Sequence, residues 1–136
     1  HHLDFLLDFI VDNPYETRED IMETYRYIVD LPLHVKVNVF LLSFFPGTPI
    51  YERALEDKII EPFDEKAFRF YIKGRVQYQK NYETFLILLE RYLRRRGHVR
   101  RRVPRALLLL MGGRLMRDLG RLLPPSAYAS LSGFVQ

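Results

Sequence analysis

The chain has 136 residues, 48% of them hydrophobic, 14% aromatic and 28% charged, which suits one domain with a real core and excludes wholesale disorder. It contains no cysteine, which excludes disulfides, thiolate metal sites, a cysteine nucleophile and iron–sulfur ligation by this chain's own residues, and fits a cytoplasmic setting. The net charge of +4 is unevenly spread: residues 1–90 carry ten Lys/Arg against sixteen Asp/Glu, whereas residues 91–136 carry eleven arginines against the single acid Asp118. Such a split marks two regions with different surroundings, with a boundary near Gly97.

The chain starts His1-His2-Leu3 and runs straight into strand-like sequence, so a piece of a longer protein, or a tag remnant, is expected. Leu3 to Val11 (LDFLLDFIV) is short, apolar and aromatic, which favours a buried strand. Asn13-Pro14 breaks it. Thr17 is a good N-cap, and Asp20 three residues later makes a capping-box variant. The spacing of Ile21, Tyr25, Ile28 and Val29 predicts a helix from Arg18 to about Asp30, ended by Leu31-Pro32. Val35 to Leu42 (VKVNVFLL) is β-branched and predicts a second strand, closed by Ser43-Phe44-Phe45. Pro46-Gly47 turns the chain, Thr48 caps, and Pro49 opens a short helix to about Asp57.

Strand, helix, strand, helix with short links is a βαβ signature, so the strands should be parallel with a right-handed crossover. Both then end on one side of the sheet, bringing Asp12-Asn13 near Ser43-Phe44-Phe45. Ligands of parallel α/β folds bind on that side. Parallel sheets are covered on both faces and hold more than two strands, so an N-terminal part of the same protein is expected to supply the rest.

The stretch DFIVDNPYETREDIMET, followed about thirty residues later by FFPGTPIYERA, resembles the last two strand–helix units of radical S-adenosylmethionine enzymes. In that superfamily a partial (β/α)6 TIM-like barrel binds a [4Fe–4S] cluster and S-adenosylmethionine at the carboxyl ends of its strands. A strand of the form D-x-I-x-G-x-P-G-E-T lays its apolar residues against the adenine. This chain matches at Asp8, Ile10, Pro14, Glu16 and Thr17, and places Asp12 and Tyr15 where glycines are usual. That D-N-P-x-E-T variant, the P-G-T-x-x-Y-E pattern and the basic, leucine-rich tail resemble the subgroup with an N-terminal cobalamin-binding domain. The resemblance covers residues 4–60 well and the remainder loosely. It implies an α/β fold: the βαβα end of the barrel in residues 1–60, a covering segment and helix in 61–97, and a basic helical extension in 98–136. It also implies cofactor-side roles for Ile10, Asp12, Asn13, Glu16, Ser43 and Phe45, and a small-molecule substrate. The family's cluster ligands sit in a C-x-x-x-C-x-x-C loop that this sequence lacks, so the chain should be inactive alone.

Each residue also has a plainer role. Ile10 suits a core; Asp12 suits an Asx-turn before Pro14; Asn13 is a common turn residue. The charge of Glu16 suits the first amides of the helix, and Phe44-Phe45 suits packing. Asp12 and Glu16 as a hydrolytic acid/base pair lack any fixed geometry. His1, His2, His34 and His98 show no metal spacing. In the middle region Asp64 opens a short helix, and AFRFYIKGRVQYQ mixes aromatics with cations, as a segment covering a barrel or a nucleic-acid binder would. Asn81 caps a helix from Tyr82 to Arg96, with Phe85, Leu86, Leu89, Tyr92 and Leu93 as its apolar face and Gly97 as its end.

The eleven arginines of residues 91–121 leave three readings open. A helix opening at Pro104 packs its leucines on a neighbouring domain while its arginines stay solvated; or it lies on an anionic membrane surface; or, least favoured, it grips nucleic-acid phosphates. The run Ala106 to Met111 is too short to span a bilayer. Gly112-Gly113 breaks the helix, Pro124-Pro125 stops it, and residues 126–136 are expected to fray. A non-catalytic α/β module with a basic docking tail, and a different parallel α/β enzyme, are the rival classes.

Overall fold

A computed structural model of the chain describes residues 5–61, 81–124, 127 and 128. Among them are a two-stranded parallel sheet and six helices, a mixed and mostly helical α/β arrangement. In chain order these are β1 (Leu6–Val11), α1 (Arg18–Asp30), β2 (Lys36–Leu41), α2 (Pro49–Glu56), α3 (Tyr82–Arg95), α4 (Gly97–Arg100), α5 (Arg105–Met111) and α6 (Arg114–Gly120). The expectations for the middle region, including a helix opened by Asp64, and for residues 126 and 129–136 lie outside the described residues; Tyr128, expected to fray, is instead buried against Tyr82 and Phe85.

Local chemistry explains α1. The Thr17 hydroxyl accepts from the Asp20 amide at 3.2 Å, and the Asp20 carboxylate accepts from the Thr17 amide at 2.8 Å, so two orphan donors are satisfied reciprocally. Ile21, Met22, Tyr25, Ile28 and Val29 form its buried stripe, and extended Leu31 ends it. The crossover places β2 beside β1 in parallel register, from Leu6 opposite Lys36 to Val11 opposite Leu41. Phe9, Val11, Val37 and Val39 turn to the core formed with α1 and α3. The opposite face carries Leu6, Asp8 and Ile10 against Lys36, Asn38 and Phe40. Among the described residues it is uncovered, with Ile10 60% and Phe40 52% exposed.

α3 is the centre of the molecule. Asn81 caps it by accepting from the Thr84 amide at 2.7 Å. Its buried surface is wider than one stripe, taking in Leu86, Ile87, Leu88 and Leu93 together with Glu83, Thr84, Glu90 and Arg94. Gly97 does not end it as expected. Arg96, at φ −101° and ψ 63°, makes the break, and Gly97 opens the one-turn α4.

Arg94, Arg100 and Arg117 are buried; for Arg117, on the helix expected from Pro104, this goes against the reading that kept that helix's arginines solvated. The first two have a physical reason to be inside. A helix end leaves carbonyls without partners, and α1 has no basic residue in its last turn. Arg94 supplies the donors, reaching the carbonyls of Ile28, Leu31 and Pro32. Arg100 adds one to Val29 at 3.4 Å. Buried Glu90 accepts from Arg94 at 2.9 Å and from Arg100 at 2.6 Å. Desolvation pushes the Glu90 carboxyl up, while Arg100 and Arg94 act the other way.

The basic segment is thereby fastened to the core. Leu108 is buried within this chain's own core, and the Tyr25 hydroxyl donates to its carbonyl at 2.9 Å. The Tyr82 hydroxyl donates to the Met111 carbonyl at 2.9 Å. Gly112 separates α5 from α6, and a Cβ there would stand 2.9 Å from the Met22 methyl and 3.0 Å from the Tyr25 ring. Among the described residues, no helix is long and apolar enough to cross a membrane.

Candidate functional site

Parallel pairing brings the carboxyl ends of β1 and β2 together, and the Leu42 amide donates to the Val11 carbonyl at 2.9 Å to hold them. One residue later the chain turns sharply, because Asp12 adopts φ +71°. That left-handed conformation favours glycine and is tolerated by Asp and Asn. Asp12 thus takes a conformation usual for glycine while carrying a carboxylate.

The Asx-turn expected of Asp12 is made by its neighbour. Asn13 accepts the Tyr15 amide on Oδ1 at 3.1 Å, and its carbonyl accepts the Glu16 amide at 3.1 Å. Asn13 thus turns one side-chain oxygen into the loop itself. Thr17 and Asp20 satisfy the first turn of α1, and Glu16 stands just outside it, half-buried. Desolvation, and next the negative charge of Asp20, raise the Glu16 carboxyl above its usual range.

Tyr15, the second departure from glycine, braces the loop. Its hydroxyl donates to Asp57 at 2.9 Å, and the Arg53 guanidinium lies 4.3 Å from its ring centre. The turn after β1 is therefore tied to the end of α2. Desolvation and the Asp57 hydrogen bond raise the Tyr15 hydroxyl.

On the β2 side, Ser43 and Phe44 are half-buried and Phe45 is exposed. The Phe45 carbonyl accepts from the Thr48 amide at 3.2 Å and its hydroxyl at 2.7 Å, and Gly47 completes the turn at φ +84°. Thr48 precedes α2 but its side chain makes no capping bond to the helix, contrary to expectation. Its hydroxyl is spent on the turn.

Of the six expected site residues, Ile10 lies on the uncovered sheet face, Asp12, Asn13 and Glu16 follow β1, and Ser43 and Phe45 follow β2. Sequence reasoning missed Phe40, the register partner of Ile10 on that face, and the Asp8–Asn38 pair one step below, where Asn38 Nδ2 donates to Asp8 at 3.1 Å. Counting back from the expected ends, Val11 and Leu42, would have paired Ile10 with Leu41 and Asp8 with Val39, one residue out of the observed register. The Tyr15–Asp57 brace spans 42 residues and had no local signal.

The result is an apolar patch of Ile10 and Phe40, flanked by polar groups at the strand ends. No group of three or more His, Asp or Glu residues is placed to hold a metal among the described residues. Comparison of the chain with family profiles, with curated protein sequences and with solved structures returned no match.

Proposed function

We propose that this chain forms the closing βαβα part of a radical S-adenosylmethionine enzyme barrel and supplies the adenosine-side wall of its pocket. The observation that carries the reading is Asp12 at φ +71°, a conformation that favours glycine, at the position where the resembled pattern has glycine. The uncovered face of a two-stranded parallel sheet supports it, since parallel sheets are normally covered on both sides. In a barrel that face would be the interior, and its neighbours would come from the preceding part of the protein.

The residues fit the nucleoside and not the metal cluster. Ile10 and Phe40 would lie against the adenine, and Asp12, Asn13 and Ser43 would offer polar atoms at the rim. Phe45 and the Tyr15–Asp57 brace would close the mouth against water. Cluster ligands would have to come from elsewhere, because the chain has no cysteine. When bound, S-adenosylmethionine supplies a 5′-deoxyadenosyl radical on reductive cleavage. The D-N-P-x-E-T variant extends the proposal to the cobalamin-associated subgroup, whose chemistry includes methylation and ring formation.

The test is anaerobic assay of 5′-deoxyadenosine formation by the longer protein that carries this segment, after cluster reconstitution. Ile10→Asp should lower the yield at least ~10-fold, a loss of about 1.4 kcal/mol of cofactor contact. A parent protein without a C-x-x-x-C-x-x-C motif would overturn the proposal.

A further inference from the structure

The outward side of α5 and α6 is apolar, although both helices already have a buried side. On α5, Leu108 faces the core, and the residues on the opposite side of the helix are Ala106 and Leu110, with Leu110 64% exposed. On α6, Arg117 and Gly120 face inward, and opposite Arg117 stand Leu115 and Leu119, with Leu115 72% exposed. Leu122 continues the set at 78% exposure. A helix that merely covers a core carries polar residues at this position. The segment is also basic: Arg101, Arg102, Arg105, Arg114 and Arg121 are exposed, Arg105 being paired with Asp30 at 2.6 Å. The one acid of the segment, Asp118, is already paired with Arg121 at 3.0 Å.

Leucines outermost with arginines beside them suit one surface in particular. Insertion to the depth of the headgroups buries the leucines, while the guanidiniums remain level with lipid phosphates. A nucleic-acid groove would call for the reverse, with arginines outermost and leucines at the sides. The inward contacts give the element a rigid seat. Gly112 packs against Met22 and Tyr25, and a Cβ on Gly120 would stand 2.6 Å from the Tyr82 ring. We infer that the outward leucine face of α5–α6, including Leu122, is a docking surface for an anionic lipid bilayer, holding the protein on the membrane without crossing it. This is independent of the pocket assignment.

The chain contains no tryptophan, so Leu122→Trp is a clean reporter. With vesicles of phosphatidylcholine containing about 30 mol% phosphatidylserine, its emission should shift to the blue, and the full chain should co-sediment. Phosphatidylcholine alone should give neither. Leu110→Ser/Leu115→Ser/Leu119→Ser should weaken partitioning on the order of a hundredfold, while far-UV circular dichroism and the melting temperature stay unchanged. Binding that the triple variant retains would reduce the effect to surface charge and overturn the inference. So would no binding to either vesicle, or a concentration-dependent dimer that the same triple variant dissociates.

Discussion

Replacing Glu90 with alanine should be among the most damaging single changes in the chain. Glu90 is fully buried, and its Oε1 accepts from Arg94 at 2.9 Å and from Arg100 at 2.6 Å. Removal leaves two guanidiniums, each under a tenth exposed, without their carboxylate. Breaking such a pair costs ~3–5 kcal/mol, against ~5–15 kcal/mol for a whole domain. The two arginines should respond differently. Arg94 keeps three carbonyl partners on the chain from Ile28 to Pro32, whereas Arg100 keeps only longer bonds, to Val103 at 3.3 Å and Val29 at 3.4 Å. Adding Arg100→Met to Glu90→Ala should therefore recover ~1–3 kcal/mol relative to the sum of the single losses. Urea unfolding followed by circular dichroism reads this directly, with the Glu90→Ala midpoint falling by about 2 M. A loss below ~1 kcal/mol, or strictly additive losses, would refute the argument that the cluster holds α3 and α4 onto the end of α1.

Tyr25→Phe deletes the buried hydroxyl that serves the Leu108 carbonyl and should cost ~1–3 kcal/mol by urea unfolding. Asp12→Val should be ~1–2 kcal/mol less stable than Asp12→Gly on urea unfolding, because glycine is at ease at φ +71° and a β-branched side chain is not. Thr17→Ala removes the α1 cap and should cost ~1 kcal/mol at neutral pH. Asp20 and Asp30 are held below the usual carboxylate range, Asp20 by its hydrogen bond with Thr17 and Asp30 by that with Arg105. They stabilise the fold above about pH 4 and lose that effect as pH falls through their folded values. Glu16, raised by desolvation, has the opposite sign, and its contribution is lost as pH rises through its folded value. Melting temperature against pH should accordingly show a shallower acid limb in Thr17→Ala than in the parent.

The elements most legible in the sequence are those whose determinants are local. Thr17, Asp20 and the Ile21–Tyr25–Ile28 stripe lie within a dozen residues, and α1 spans the expected Arg18–Asp30. Pairing of β1 with β2 was equally accessible, since a short helical crossover leaves parallel strands as the simple solution. Distant partners were not accessible. Arg94 and the Ile28 carbonyl are 66 residues apart, and an arginine run looks solvated until the bare end of α1 is seen to need donors. The i, i+4 spacing of Glu90 and Arg94 was the available hint. Close competitors were also missed: Asn13 rather than Asp12 accepts the turn amide, because the residue two beyond Asp12 is Pro14, which has no N–H to donate.

A structure, with S-adenosylmethionine bound, of the longer protein proposed above tests the central claim most directly. The account predicts adenine within ~4 Å of Ile10, with strands from the preceding part of the chain continuing the sheet beside β1. Adenine seated on other strands, or β1 and β2 standing as an isolated pair with their uncovered face in solvent, would contradict it.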